Sequence, residues 1–118
     1  MAANILIVDD DPNFCASFSD VLKEKGHNVD AALSGQEALD KLRSAEYRIV
    51  FVDMKMPGLD GVETVTEIKK IKPDVTVVGI TGYDDYELVK KAVESGAQGC
   101  IYKPVDYELI NKIIEKSI

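Results

Sequence analysis

Five short runs rich in Ile, Val and Phe punctuate the chain: ILIV at 5–8, NVDAA at 28–32, IVFVD at 49–53, TVVGIT at 76–81 and GCIY at 99–102. The first, third and fourth are nearly continuous in apolar residues, the pattern of strands covered on both faces. NVDAA alternates instead, which suits a sheet edge. The gaps between the runs carry helical spacing. Phe14, Phe18, Val21 and Leu22 mark a helix over 12–25, with Pro12 in its first turn and Gly26 at its end. Ser34 and Glu37 form a capping box ahead of ALDKL. Val62, Val65, Ile68 and Ile71 share one face of a helix over 61–71. Asp84 or Asp85 caps a fourth helix that ends at Ser95-Gly96, and Asp106 caps a fifth carrying Leu109, Ile110, Ile113 and Ile114. Strands that alternate with helices imply a parallel sheet inside a three-layer α/β/α sandwich.

Length and composition narrow the class. A chain of 118 residues is expected to form one domain, residues 1–118, and to bury a real core. With 46% hydrophobic and 30% charged residues it reads as globular. No apolar run approaches a membrane span, and the start MAANILIVDDD lacks the basic flank and cleavage site of a signal peptide. The cytoplasm is the expected location. The net charge of −7 argues against direct nucleic-acid binding by this domain. Cys15 and Cys100 have neither metal-ligand nor CxxC spacing and read as reduced, buried thiols.

Ligands in parallel α/β sheets bind outside the carboxyl ends of the strands. Asp9, Asp10 and Asp11 follow the first strand here, Asp53 closes the third, Thr81-Gly82 ends the fourth and Lys103-Pro104 follows the fifth. Each residue alone has an ordinary explanation: Asp11 before Pro12 is a helix cap, and a Lys before Pro is a solvated loop residue. The joint occurrence at four strand ends is harder to dismiss. Like charges at ~4 Å repel by ~1 kcal/mol in water and ~4 kcal/mol near a protein surface, so clustered carboxylates want a cation among them. Mg²⁺ favours a few hard oxygen ligands, retained waters and a phosphate partner. Nothing is placed for zinc. A carboxylate can accept a phosphoryl group, while a lysine and a metal neutralise the transferred charge.

The stretches IVDD at 7–10, VDMKMPGLDG at 52–61, ITG at 80–82 and YKP at 102–104 resemble the receiver domain of two-component response regulators over essentially the whole chain. The resemblance implies the flavodoxin-like strand order 2-1-3-4-5. It makes Asp53 the phosphoacceptor, taking its phosphoryl group from a phosphohistidine of a sensor histidine kinase or phosphotransfer protein. It makes Asp10 a direct ligand of Mg²⁺ (or Mn²⁺), with Asp9 acting through water and Asp53 and the Lys55 backbone carbonyl completing the protein ligands. Lys103 would pair with the phosphoryl group, Thr81 would hydrogen-bond it, and Gly82 would leave the acceptor accessible. The role is a signalling switch with intrinsic autophosphorylation and autodephosphorylation. A phosphorylation-dependent dimer and a downstream output domain or target are implied as partners, with no membrane. Met56-Pro57-Gly58 reads as a turn, Gly61 as the opening of a helix, and Lys103-Pro104 as the family's cis peptide position.

The resemblance also exposes a departure. Family members commonly carry a switching aromatic three positions before the lysine, where this chain has Cys100. Tyr102 alternates onto the same strand face and either substitutes or packs passively. Phe14 and Pro104-Val105 are either partner contacts or, for Phe14, core. Lys55 and Tyr83 flank the site and would tune phosphoryl lifetime. His27, the only histidine, reads as a surface turn residue, so the donor must come from outside. Two rivals stand beside this reading. A haloacid-dehalogenase-like aspartyl phosphatase shares a DxD pattern but has Thr or Val where Asn13 stands. A pseudo-receiver would have lost Asp53, the acid pair or Lys103, and all are present.

Overall fold

A computed structural model describes residues 2–56, 60–82 and 86–118. The elements alternate as β1 (Asn4–Val8), α1 (Pro12–Glu24), β2 (Asn28–Ala32), α2 (Gly35–Ser44), β3 (Ile49–Asp53), α3 (Gly61–Ile71), β4 (Thr76–Thr81), α4 (Tyr86–Glu94), β5 (Gly99–Tyr102) and α5 (Tyr107–Ser117). All strand pairings are parallel, in the order β2-β1-β3-β4-β5. NVDAA lies at an edge, as its alternation predicts. The predicted turn at Pro57-Gly58, the Asp84 or Asp85 cap and Tyr83 lie outside the described residues. Among the described residues no helix is long and apolar enough to cross a membrane.

Side chains alternate across the sheet and build two buried layers. Leu6, Val8, Val50, Val52 and Val77 meet Leu42 of α2 and Val65 and Ile68 of α3 on one face. Ile5, Ile7, Ile49, Phe51 and Ile80 meet Phe18 and Leu22 of α1 and Ile110 and Ile114 of α5 on the other. Burying a side chain of this size is worth about 1.5–3 kcal/mol, which holds the helices on the sheet. Val21, Val62, Ile71 and Ile113 are only half-buried, and Leu109 is exposed, because each stands at the margin of its helix stripe.

The caps follow sequence expectation. Asp11 accepts from the Asn13 and Phe14 N–H groups, Ser34 from Glu37, and Asp106 from Glu108 and Leu109. The capping box is modified: the Glu37 carboxylate accepts from the Leu33 N–H (2.7 Å), one residue before the cap. Asp60 caps α3 by accepting from Glu63, and Gly26 leaves α1 with φ +93. Lys103-Pro104 is cis.

His27 has a role that a turn position does not announce. It is half-buried, and its Nδ1 accepts the Ala3 N–H (3.0 Å), tying the α1–β2 turn to the start of β1. Its pKa lies below the usual histidine value, through burial first and nearby positive charge, Lys25 included. A histidine kept neutral by folding contributes stability that is fully present above about pH 6.5 and is lost as pH falls through the folded-state pKa. Replacing it in His27→Ala should cost about 1 kcal/mol at pH 8. The variant should also flatten the fall in stability below pH 6.5, as read by denaturant midpoints at both pH values.

Candidate functional site

Strand register assembles the site. Val8 pairs with Val52, so Asp9 emerges beside Asp53 at the carboxyl ends of β1 and β3. Asp53 pairs with Ile80, one residue before Thr81, and Thr81 pairs with Tyr102, one residue before Lys103. The Lys103 N–H donates to the Thr81 carbonyl (2.9 Å), fixing where the lysine leaves the sheet.

Asp9 and Asp53 are buried, whereas Asp10 is exposed at the mouth. Each buried carboxylate is held on one side by backbone. The Asp11 N–H donates to Asp9 Oδ1 (2.9 Å), and the Lys55 N–H donates to Asp53 Oδ1 (3.0 Å). Their other oxygens face Lys103. Its Nζ donates to Asp9 Oδ2 at 3.0 Å and stands 3.9 Å from Asp53 Oδ2. Asp9, Asp10 and Asp53 each offer an oxygen within 4.8 Å of the others, the spacing of a shared cation. Such a set of hard oxygen donors fits Mg²⁺ or Mn²⁺.

Burial pushes the Asp53 pKa up to about 6; the Lys55 N–H opposes this, Asp9 adds to it, Lys103 opposes and Asp10 adds. Burial disfavours the Lys103 charge, but its hydrogen bond to Asp9 and the charge of Asp53 outweigh that and raise its pKa. Burial likewise drives the Cys15 thiol up to about 11, with Asp9 and Asp11 adding to it. Cys15 is therefore a neutral donor here, its Sγ–H directed to the Asp9 carbonyl (3.4 Å).

Thr81 is fully buried, and its Oγ1 has no hydrogen-bond partner among the described residues. Leaving a buried hydroxyl unpaired costs about 1–3 kcal/mol. Gly82 is exposed, and a Cβ there would meet no atom of the described residues within 4 Å. Gly61 is the opposite case: a Cβ would strike the Met54 backbone and come within 2.5 Å of the Asp53 carbonyl.

The residues predicted from sequence do not all converge. Asp9, Asp10, Asp53 and Lys103 form the cluster, and Thr81 sits at the end of the next strand. Tyr102 is 48% exposed, in register with Thr81 on the outer strand. Cys100 is half-buried. Gly79 pairs with Cys100, and a Cβ at Gly79 would lie 2.6 Å from Cys100 Sγ and 2.9 Å from Met54 Sδ. Both thiols are free, though only Cys15 is fully buried. Phe14 is neither core nor fully exposed. Half-buried, it packs beneath the site with Lys103 Nζ 4.4 Å from its ring centroid. Sequence reasoning missed this contact and the Gly79–Met54 complementarity, because both are made between elements distant in the chain.

Comparison with known proteins gives a consistent result. The model described as "Response regulator receiver domain" matches residues 5–115. Transcriptional regulatory protein ZraR of Escherichia coli K12 is 34% identical over 115 residues, covering 98% of this chain and 26% of that protein. The chain thus spans about a quarter of the length of that relative. Sporulation initiation phosphotransferase F of Bacillus subtilis 168 is 31% identical over 116 residues, covering 98% of this chain and 94% of that protein. A solved CheY-like response regulator receiver domain protein from Methanospirillum hungatei JF-1 superposes with a TM-score of 0.91 at 31% identity, covering 99% of this chain and 94% of that one.

Proposed function

The chain belongs to the response regulator receiver domain family, and on that footing we propose that Asp53 is its phosphoacceptor. An Asp53 carboxylate oxygen attacks the phosphorus of a phosphohistidine on a histidine kinase or phosphotransfer protein. A phosphorus–oxygen bond forms, the phosphorus–nitrogen bond breaks, and the imidazole leaves with a proton from solvent. Hydrolysis of the acyl phosphate returns the carboxylate and inorganic phosphate. Asp10, Asp53 and the Lys55 carbonyl would hold a divalent ion directly, with Asp9 acting through water. Asp9 suits the indirect role because both its oxygens are already engaged, by the Asp11 N–H and by Lys103. When bound, such an ion would supply neutralisation of charge on the transferring group. Lys103 answers the remaining charge from its seat between Asp9 and Asp53.

The observation that carries this reading is the convergence of three carboxylates and one ammonium at the sheet's carboxyl edge. Its test is intact mass after incubation with acetyl phosphate. One phosphoryl group should be gained with Mg²⁺ and none after chelation. Folded protein that stays unlabelled with Mg²⁺, beside a receiver that labels, overturns it.

A phosphoryl group adds about −1.5 to −2 charge and new acceptor oxygens. The unanswered Thr81 hydroxyl then gains a partner, drawing the loop after β4 and altering the α4–β5–α5 face, where Tyr86, Val93, Tyr102 and Leu109 are exposed. Tyr102 follows as the aromatic member of the switch. Removing the unpaired hydroxyl in Thr81→Val should stabilise the unphosphorylated protein by about 1 kcal/mol. It should also erase the phosphorylation-induced amide shifts of α4 and β5. Wild-type shifts persisting in this variant would take Thr81 out of the switch. No direct contact with nucleic acid or membrane is part of this proposal.

A further inference from the structure

We propose that Phe14 is a positioning residue for the phosphoryl chemistry: its ring face seats the Lys103 ammonium between Asp9 and Asp53. The inference rests on the phosphoacceptor reading above. A lysine ammonium ends a flexible four-carbon stem, and nothing in the stem aims it. Here the side chain is 35% exposed, so packing alone leaves it latitude. Two carboxylates at unequal distances, 3.0 and 3.9 Å, would draw it onto Asp9. The ring centroid lies 4.4 Å from Nζ, within reach of the attraction between a cation and the negative face of an aromatic. That seat is uncharged and takes up none of the carboxylate oxygens. The ammonium keeps hydrogens to offer to an incoming phosphoryl group.

The seat is itself built in. Phe14 stands in the first turn of α1, its N–H accepted by the Asp11 cap. Its ring meets Phe18 edge-on at 5.6 Å and 66°. Phe18 is wholly buried and leans on Phe51 at 5.2 Å and on Tyr107 at 5.9 Å. Phe51 precedes Asp53 by two residues on the same face of β3. A train of rings therefore links the acceptor strand to the lysine through α1. An aliphatic residue at position 14 would fill the space without offering a π-face.

The test replaces Phe14 by mono-, di- and trifluorophenylalanine at that codon alone, alongside Phe14→Leu and Phe14→Tyr. Fluorine withdraws electron density from the ring face and barely changes packing. Labelling by acetyl phosphate with Mg²⁺ should slow stepwise along the series. It should fall about three- to tenfold in Phe14→Leu and stay near wild type in Phe14→Tyr. Without metal or phosphodonor, the Lys103 ε-methylene protons should show an upfield ring-current shift in wild type that Phe14→Leu loses. A flat fluorine series, or equal loss in the leucine and tyrosine variants, makes Phe14 a packing residue and overturns the inference. If wild type labels and Phe14→Leu labels equally fast, the inference alone fails. If wild type takes up no phosphoryl group, the acceptor reading fails and this inference with it.

Discussion

Asp53→Asn is expected to take up no phosphoryl group from acetyl phosphate and Mg²⁺, as read by intact mass, while folding as well as wild type or better. An amide is no nucleophile toward phosphorus and brings no charge to a divalent ion. Geometry is otherwise kept, because the amide oxygen can still accept the Lys55 N–H that Asp53 Oδ1 accepts now. The stability half follows from the electrostatics of the site. The Asp53 carboxylate is buried, its pKa lies near 6 chiefly through that burial, and Asp9 and Asp10 stand close by. Replacing it with a neutral isostere should stabilise the chelator-treated protein by roughly 1–3 kcal/mol near pH 7.5. A denaturant titration beside the mass measurement reads both at once. Labelling that persists in the variant would move the acceptor to Asp9 or Asp10. A variant less stable than wild type would mean that Lys103 already compensates the buried charge.

Gly61→Ala should be the most damaging single methyl group at the site. A Cβ at Gly61 lands on the Met54 backbone, 2.5 Å from the Asp53 carbonyl and 2.6 Å from Met54 Cε. The methionine tip can swing away, but the backbone of β3 and its exit cannot. The first turn of α3 must then retreat from the strand that carries Asp53. The expected cost is about 2–4 kcal/mol, at or above the usual range for overpacking. Labelling should slow as well, because any part of the clash that α3 does not absorb displaces the β3 exit that carries Asp53 and Lys55. Gly82→Ala is the control: its Cβ meets no atom of the described residues within 4 Å, so stability should stay within about 0.5 kcal/mol of wild type. Equal denaturant midpoints for the two alanine variants would show that α3 yields without cost.

Much of this molecule is legible in one dimension, for reasons particular residues show. TVVGIT and IVFVD announce buried strands because both their faces need apolar cover, and they form β4 and β3 with those bounds. Asp11, Ser34 and Asp106 announce helix starts because capping is local, between residues two or three apart. The acids, Thr81 and Lys103 are visible because parallel strands deliver their carboxyl ends to one edge. The Ser34 half of the capping box stands, and whether the Glu37 carboxylate reaches back to Ser34 or Leu33 depends on how the chain enters α2. His27 looked like a surface turn because its partner, Ala3, lies 24 residues away.

Sequence alone determined the alternation of elements, the helix caps and which ionisable side chains stand at the strand ends, because each depends on residue type and on neighbours within a few positions. Tertiary structure decided the rest. It set how far Asp9 and Asp53 stand from Lys103, left the Thr81 hydroxyl buried without an answer among the described residues, and packed the sulfurs of Cys100 and Met54 over Gly79. It also put the Phe14 ring beneath an ammonium 89 positions along the chain. These are distances between groups carried by different strands and helices. Strand register and sheet packing set them, and no local pattern of residues encodes either.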